Sequence, residues 1–162
     1  METESEGHQS VEASFAVEVE TNIQGLDYDE EPIIRSVQST LGSEECPSAE
    51  ITIILVDSEY LRELKFQYFG EDVYTDVIAF RLNPPEEPRV EGEIYISVEQ
   101  AASQALEYGV TADLEILRLT VHGTLHLLGY EDDTPEGRQG MTAREDHQLD
   151  RFSEPLVIRE LP

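Results

Sequence analysis

Lysine is nearly missing from this chain. One is present, Lys65, and the remaining nine bases are arginines, against 36 acidic residues. The formal charge is −26. A field of that sign repels nucleic acid unless a local basic patch or a metal ion overcomes it. Tryptophan is absent, and cysteine occurs once, at Cys46. A single cysteine excludes an internal disulfide framework and fits a reducing cytoplasm. It lies in a polar run, GSEECPSAE, and carries no expected role. No apolar run is long enough to span a bilayer, so no membrane association is expected. The N-terminus, METESEGHQSVEAS, lacks the basic-then-apolar pattern of a secretory signal. The acids are spread along the chain rather than gathered in a tail. That distribution suits concentrated salt, where the Debye length shrinks to about 3 Å at 1 M and like charges cease to repel.

At 162 residues the chain has the length of one domain with a real core. Residues 1–12 read as a disordered acidic tail that includes His8, and 13–162 as one domain. Ser14 to Glu20 alternates apolar and polar residues as a half-buried strand does. Pro32 opens a helix to about Leu41, and Glu50 to Asp57 is a β-branched strand. Asp57-Ser58 caps a helix that Gly70 ends. Thr75 to Leu82 and Glu91 to Val98 are two further strands, parallel or antiparallel, on either side of the loop NPPEEPRVE. Ser97 and Gln100 start a short helix as a capping box. A long apolar helix runs from about Ala112 to Leu128, and Thr134-Pro135-Glu136 starts the last one. SEPLVIRELP offers a short edge segment. The order β-α-β-α-β-β-α-α-α predicts a single α/β (α+β) domain. A small, mostly parallel four-stranded sheet is covered by helices, with the long helix buried at its centre.

The chemistry concentrates in LRLTVHGTLHLLGYEDDT, Leu117 to Thr134. His122 and His126 are four apart, so a helix stacks their imidazoles on one face. One helix offers two nitrogen ligands to a single zinc ion with that spacing. Gly129 can take the left-handed conformation that turns the chain back, and Glu131, Asp132 and Asp133 follow. Asp132 is placed to complete three ligands with a fourth position open, the pattern of a catalytic metal site. Glu131 and Asp133 are alternative ligands or proton acceptors. A His-x3-His pair also occurs by chance on helices. Here, however, two of only four histidines sit in the most apolar helix, where unpartnered imidazoles cost free energy. His147 lies among acids and reads as part of a solvated face.

HGTLHLLGY with its acidic turn resembles the signature of the YbeY family of bacterial rRNA maturation factors. TDVIAF (Thr75 to Phe80), EGEIYIS (Glu91 to Ser97) and VDSEYLRELKFQYFG (Val56 to Gly70) resemble further segments of that family, in the same order. The resemblance implies a zinc-dependent endoribonuclease acting on single-stranded RNA, with one zinc per chain held by His122, His126 and Asp132. It also implies ribosomal RNA and ribosomal subunits as partners, with a ribosomal protein or GTPase as further partners, and a cytoplasmic location. Two departures stand out. Most members have histidine where this chain has Asp132. The family's Tyr-Arg-Gly-Lys, whose arginine is linked to RNA cleavage, is here Tyr68-Phe69-Gly70-Glu71. Neither replacement can steady a phosphate as a guanidinium does. Arg81 and Arg118 are the cations left to do so, unless Arg118 pairs with Asp113, Glu115 or another acid. The spacing also matches metzincin-type proteases, but those need glutamate right after the first histidine, where this chain has Gly123. A ribosome-assembly or RNA-binding factor with a structural zinc is the other reading. Loss of the arginine–lysine pair and the acidic field favour it.

Overall fold

The computed structural model describes residues 14–152, 157–160 and 162; the expected acidic tail and His8 fall outside them. β1 (Ser14–Thr21) leads through the two-residue β2 (Asp27–Tyr28) to α1 (Glu31–Ser43). Then come β3 (Ser48–Val56), α2 (Ser58–Phe69), β4 (Val77–Arg81) and β5 (Val90–Ser97). α3 (Val98–Tyr108), α4 (Ala112–Leu127), α5 (Pro135–Leu149) and β6 (Ile158–Glu160) complete the chain.

The main sheet has the order β1-β3-β5-β4. β1 and β5 both run parallel to β3, and β4 runs antiparallel to β5. The strand direction left open by the sequence is therefore mixed at β5. Its alternation serves two layers. Ala49, Ile51, Ile53 and Leu55 of β3, with Val90, Ile94 and Ile96 of β5, point to one face. There they meet Ile33, Val37 and Leu41 of α1 and Ile116, Leu117, Leu119 and Leu127 of α4. Each such aliphatic side chain, fully buried, contributes about 1.5–3 kcal/mol. The opposite face carries a smaller cluster, in which Val56 and Ile78 pack with Leu61 of α2. Cys46, read as a loop residue, is buried in the main core, and its thiol donates to the Ser48 carbonyl at 3.3 Å.

Helix starts follow the capping residues in the sequence. Asp57, Ser97, Thr111 and Thr134 each accept a backbone N–H at 2.8–3.1 Å. Such a cap stabilises by about 1 kcal/mol. The segment after α5 does not edge the main sheet. β6 instead pairs antiparallel with β2 in a separate two-stranded ribbon. Asp113, in the first turn of α4, accepts the N–H groups of Val157 and Ile158 at 2.9 and 2.7 Å, tying that ribbon to the helix. Among the described residues, no helix is long and apolar enough to cross a membrane.

Candidate metal centre

α4 lies unusually close to the sheet, and glycine makes this possible. A Cβ on Gly123 would stand 2.6 Å from Cγ2 of Ile94, and one on Gly92 would stand 2.6 Å from Leu127. Gly123 faces β5, and His122 and His126 share the adjoining strip of the helix, about 60–100° round from it. A side chain at position 123 would meet Ile94 rather than the histidines. The glutamate that a metzincin-type protease needs at that position has no place here.

The helix stops as the sequence indicates. Gly129 has φ +102°, and the Tyr130 N–H reaches back to the Leu125 carbonyl at 3.1 Å. The turn returns Asp132 to the histidines. Nε2 of His122 and Nε2 of His126 are 3.0 Å apart, and Oδ2 of Asp132 is 3.2 Å from the first and 3.6 Å from the second. Glu131 and Asp133 are exposed on either side of Asp132, and neither enters this group. His147 is exposed and also outside it.

The outer ring nitrogens fix the protons. Nδ1 of His126 faces the Tyr130 carbonyl at 3.0 Å, which only accepts, so Nδ1 carries the hydrogen. Nδ1 of His122 faces Oε2 of Glu145 at 2.6 Å. Glu145 is 5% exposed, and its other oxygen accepts from Arg118 at 2.9 Å. With both Nδ1 atoms donating, each ring in its neutral form presents a bare Nε2 lone pair. In that form they converge with a carboxylate oxygen, three acceptors with no donor among them. A shared cation relieves that repulsion. Ligands held about 2.1 Å from a tetrahedral ion lie about 3.4 Å apart, close to the spacings found. The donor set therefore fits a metal ion, and the three residues could hold one. Burial disfavours the charged His122 ring, but the Glu145 hydrogen bond and the charges of Glu145, Asp132 and Asp76 outweigh it and raise its pKa.

Of the residues read from the sequence, His122, His126 and Asp132 meet. Arg118 does not face the centre as a free cation; it binds Glu145 and Asp146 of α5. This is the pairing with "another acid" left open above. Arg81 is likewise engaged, donating to the carbonyls of Leu127, Pro84, Glu87 and Arg89. Glu145 is the residue that sequence reasoning missed. A carboxylate behind a metal-binding histidine orients the ring and raises its basicity. The available signal was its place in the stripe Met141, Glu145, Gln148, Leu149, the buried face of α5.

The family model described as Endoribonuclease YbeY matches residues 17–153. An Endoribonuclease YbeY of Desulforamulus reducens is 45% identical over 113 residues, which cover 65% of this chain and 74% of the relative. One from Chlorobaculum parvum is 39% identical over 124 residues, covering 76% and 86%. A Thermotoga maritima protein with a known solution structure shares the fold, with TM-score 0.56 and 23% identity over 86% of this chain and 97% of that one. The chain thus belongs to the YbeY family of endoribonucleases, hydrolases that cleave RNA.

Proposed function

We propose that this chain is a zinc-dependent endoribonuclease that cuts single-stranded RNA in ribosomal RNA maturation and ribosome quality control. It would act in the cytoplasm on ribosomal subunits, with a ribosomal protein or GTPase as further partners. The observation that carries the reading is the convergence of three bare acceptors, two imidazole and one carboxylate, within 3.0–3.6 Å. Two nitrogens and one oxygen suit zinc; magnesium and calcium prefer oxygen throughout. The domain that does this is residues 13–162.

His122, His126 and Asp132 would hold the zinc, which would supply a Lewis acid for phosphodiester cleavage. The protein's own groups do the rest. Glu145 and the Tyr130 carbonyl hold both imidazoles in one tautomer. Asp132 contributes a negative charge where a histidine would be neutral. Glu131 and Asp133, exposed on the same turn, are the groups proposed to accept a proton from the nucleophile, either water or the RNA's own 2′-hydroxyl. Arg118 acts through Glu145, holding that carboxylate against His122, and not on the phosphate.

One observation favours the second reading, an assembly or RNA-binding factor with a structural zinc. Arg81 and Arg118, the cations proposed for the phosphate, are both already bound. Elemental analysis and an RNA cleavage assay decide between the readings, with protein purified in high salt. Wild type is expected to carry about one zinc, which Asp132→Ala loses or largely loses, and to cut single-stranded RNA in a way that His126→Ala abolishes. Zinc in wild type with no cleavage at any salt, while ribosomal subunits still bind, would establish the second reading. No zinc in either protein would end the zinc assignment.

A further inference from the structure

On the far side of β4 lies a ladder of rings. Tyr60 stacks on Tyr95 with centroids 6.2 Å apart and planes 24° apart. Tyr95 meets Phe80 edge-on at 5.9 Å, and Phe80 meets Tyr68 edge-on at 5.2 Å and stacks on Phe69 at 6.2 Å and 15°. The lower rings, Phe80 and Tyr95, pack into the sheet, while Tyr68 and Phe69 are 60% and 51% exposed. Burying such rings is worth far more than leaving them in water. This fold leaves them at its surface.

We propose that this ladder is a stacking platform for the unpaired bases of the RNA strand. The inference rests on the RNA-cleaving reading above. Three features support that occupant. First, β4 links the platform to the helix of the metal centre on the other face of the sheet. β4 carries Phe80, and its next residue, Arg81, is anchored to the Leu127 carbonyl beside His126. Second, the chain's one lysine is here. The Lys65 ammonium stands 4.7 Å from the Phe69 ring centre, held by exposed Glu71 at 3.3 Å. A base settling on Phe69 displaces that ammonium toward the phosphate that follows. Third, α2 and the loop after it expose four acids, Glu59, Glu63, Glu71 and Asp72, with Arg62 paired to Glu59 and Asp72 among them. A second copy would bring the same acids against these. An RNA strand can present its bases to the rings and turn its phosphates toward Lys65 and away from the acids. Stacking on aromatic rings tolerates any base and needs no counterion release, unlike phosphate contacts. It therefore survives the salt in which this acidic chain is at ease.

The test uses the full chain as purified and a short 2′-O-methyl oligoadenylate, whose 2′-hydroxyls are blocked, with binding read in the His126→Ala background as well as in wild type. An abasic strand of equal length keeps the phosphates and removes the bases. Tyr68→Leu and Phe69→Leu keep apolar bulk without a ring. Each is expected to weaken oligoadenylate binding about tenfold, to leave the abasic strand's weak binding unchanged, and to raise KM for unmodified RNA with kcat intact. Equal binding of the abasic strand and oligoadenylate by wild type would overturn the platform. So would variants that bind oligoadenylate as wild type does. If wild type still cuts RNA and His126→Ala does not, that failure belongs to the platform alone. If wild type neither binds nor cuts any RNA, the underlying reading fails with it. Loss of a basic protein partner in the variants, with RNA binding unchanged, would replace RNA by that partner.

Discussion

Glu115 is a carboxylate 3% exposed, two turns before His122 on α4. Burial pushes its carboxyl from 4.5 up to about 7; Arg118 and His122 pull it down, and Asp76 and Glu145 push it further up. The folded chain thus holds this proton more tightly than the unfolded chain does. Its contribution to stability is complete below about pH 4.5 and is lost as pH rises through about 7. Glu115→Gln cannot lose a proton. Between about pH 5 and pH 8 the variant is expected to gain on wild type by on the order of 3 kcal/mol. Denaturant melts across that range check it, and parallel curves for the two proteins would refute it. Legibility at this scale divides by distance along the chain. His122, His126 and Asp132 were readable because a helix and one glycine turn relate them, and local geometry follows from local sequence. Glu145 was not, because its partner is 23 residues away across a helix packing that spacing does not encode.

The joint between α4 and β5 depends on one atom that is missing. Glycine inside a helix costs about 1 kcal/mol against alanine, so Gly123 is tolerated for the close approach it allows. Gly123→Ala would drive a methyl into Cγ2 of Ile94, a branched position with little room to yield. Overpacking of this kind costs about 1–3 kcal/mol, which exceeds the helix gain. The expectation is a lower denaturation midpoint and weaker metal retention together, because the helix that moves carries both histidines. Ile94→Ala in the same chain makes room, so the double variant should be more stable than the two single losses predict. A double-mutant cycle showing simple additivity would refute the steric account. The capped helices and alternating strands were all legible from short-range signals. β2 was not, and for β6 the sequence offered a short edge segment without its partner. Two- and three-residue strands carry no periodicity, and what fixes them is the long-range pairing of Asp27 with Glu160 and Tyr28 with Ile158.

Across the molecule, a charge of −26 arises from acids carried by every element except β4, so repulsion opposes the compact state wherever it is unscreened. The cations are largely spent on near neighbours; Arg62, Lys65, Arg89, Arg118, Arg144 and Arg159 all sit in ion pairs. Added salt weakens those exposed pairs slightly and the general repulsion much more. The melting temperature is therefore expected to climb between about 0.1 M and 1 M potassium chloride, as the Debye length falls from about 10 to 3 Å. A flat or falling trend would show that the surface acids are already compensated. The fold class was legible from element order. The direction of β5 relative to its two neighbours was not, since one alternating strand serves parallel and antiparallel pairing equally well.

The three groups of the metal centre lie within one helix end and its returning turn, from His122 to Asp132, while the sheet beneath them needs long crossovers to close. Short loops cost little entropy to close, and local contacts form early. In time as well as in space, then, the centre can precede the fold around it. A cation caught there would hold the end of α4 while β1, β3 and β5 are still finding their order, and Glu145 would arrive from α5 only later to fix the ring already in place.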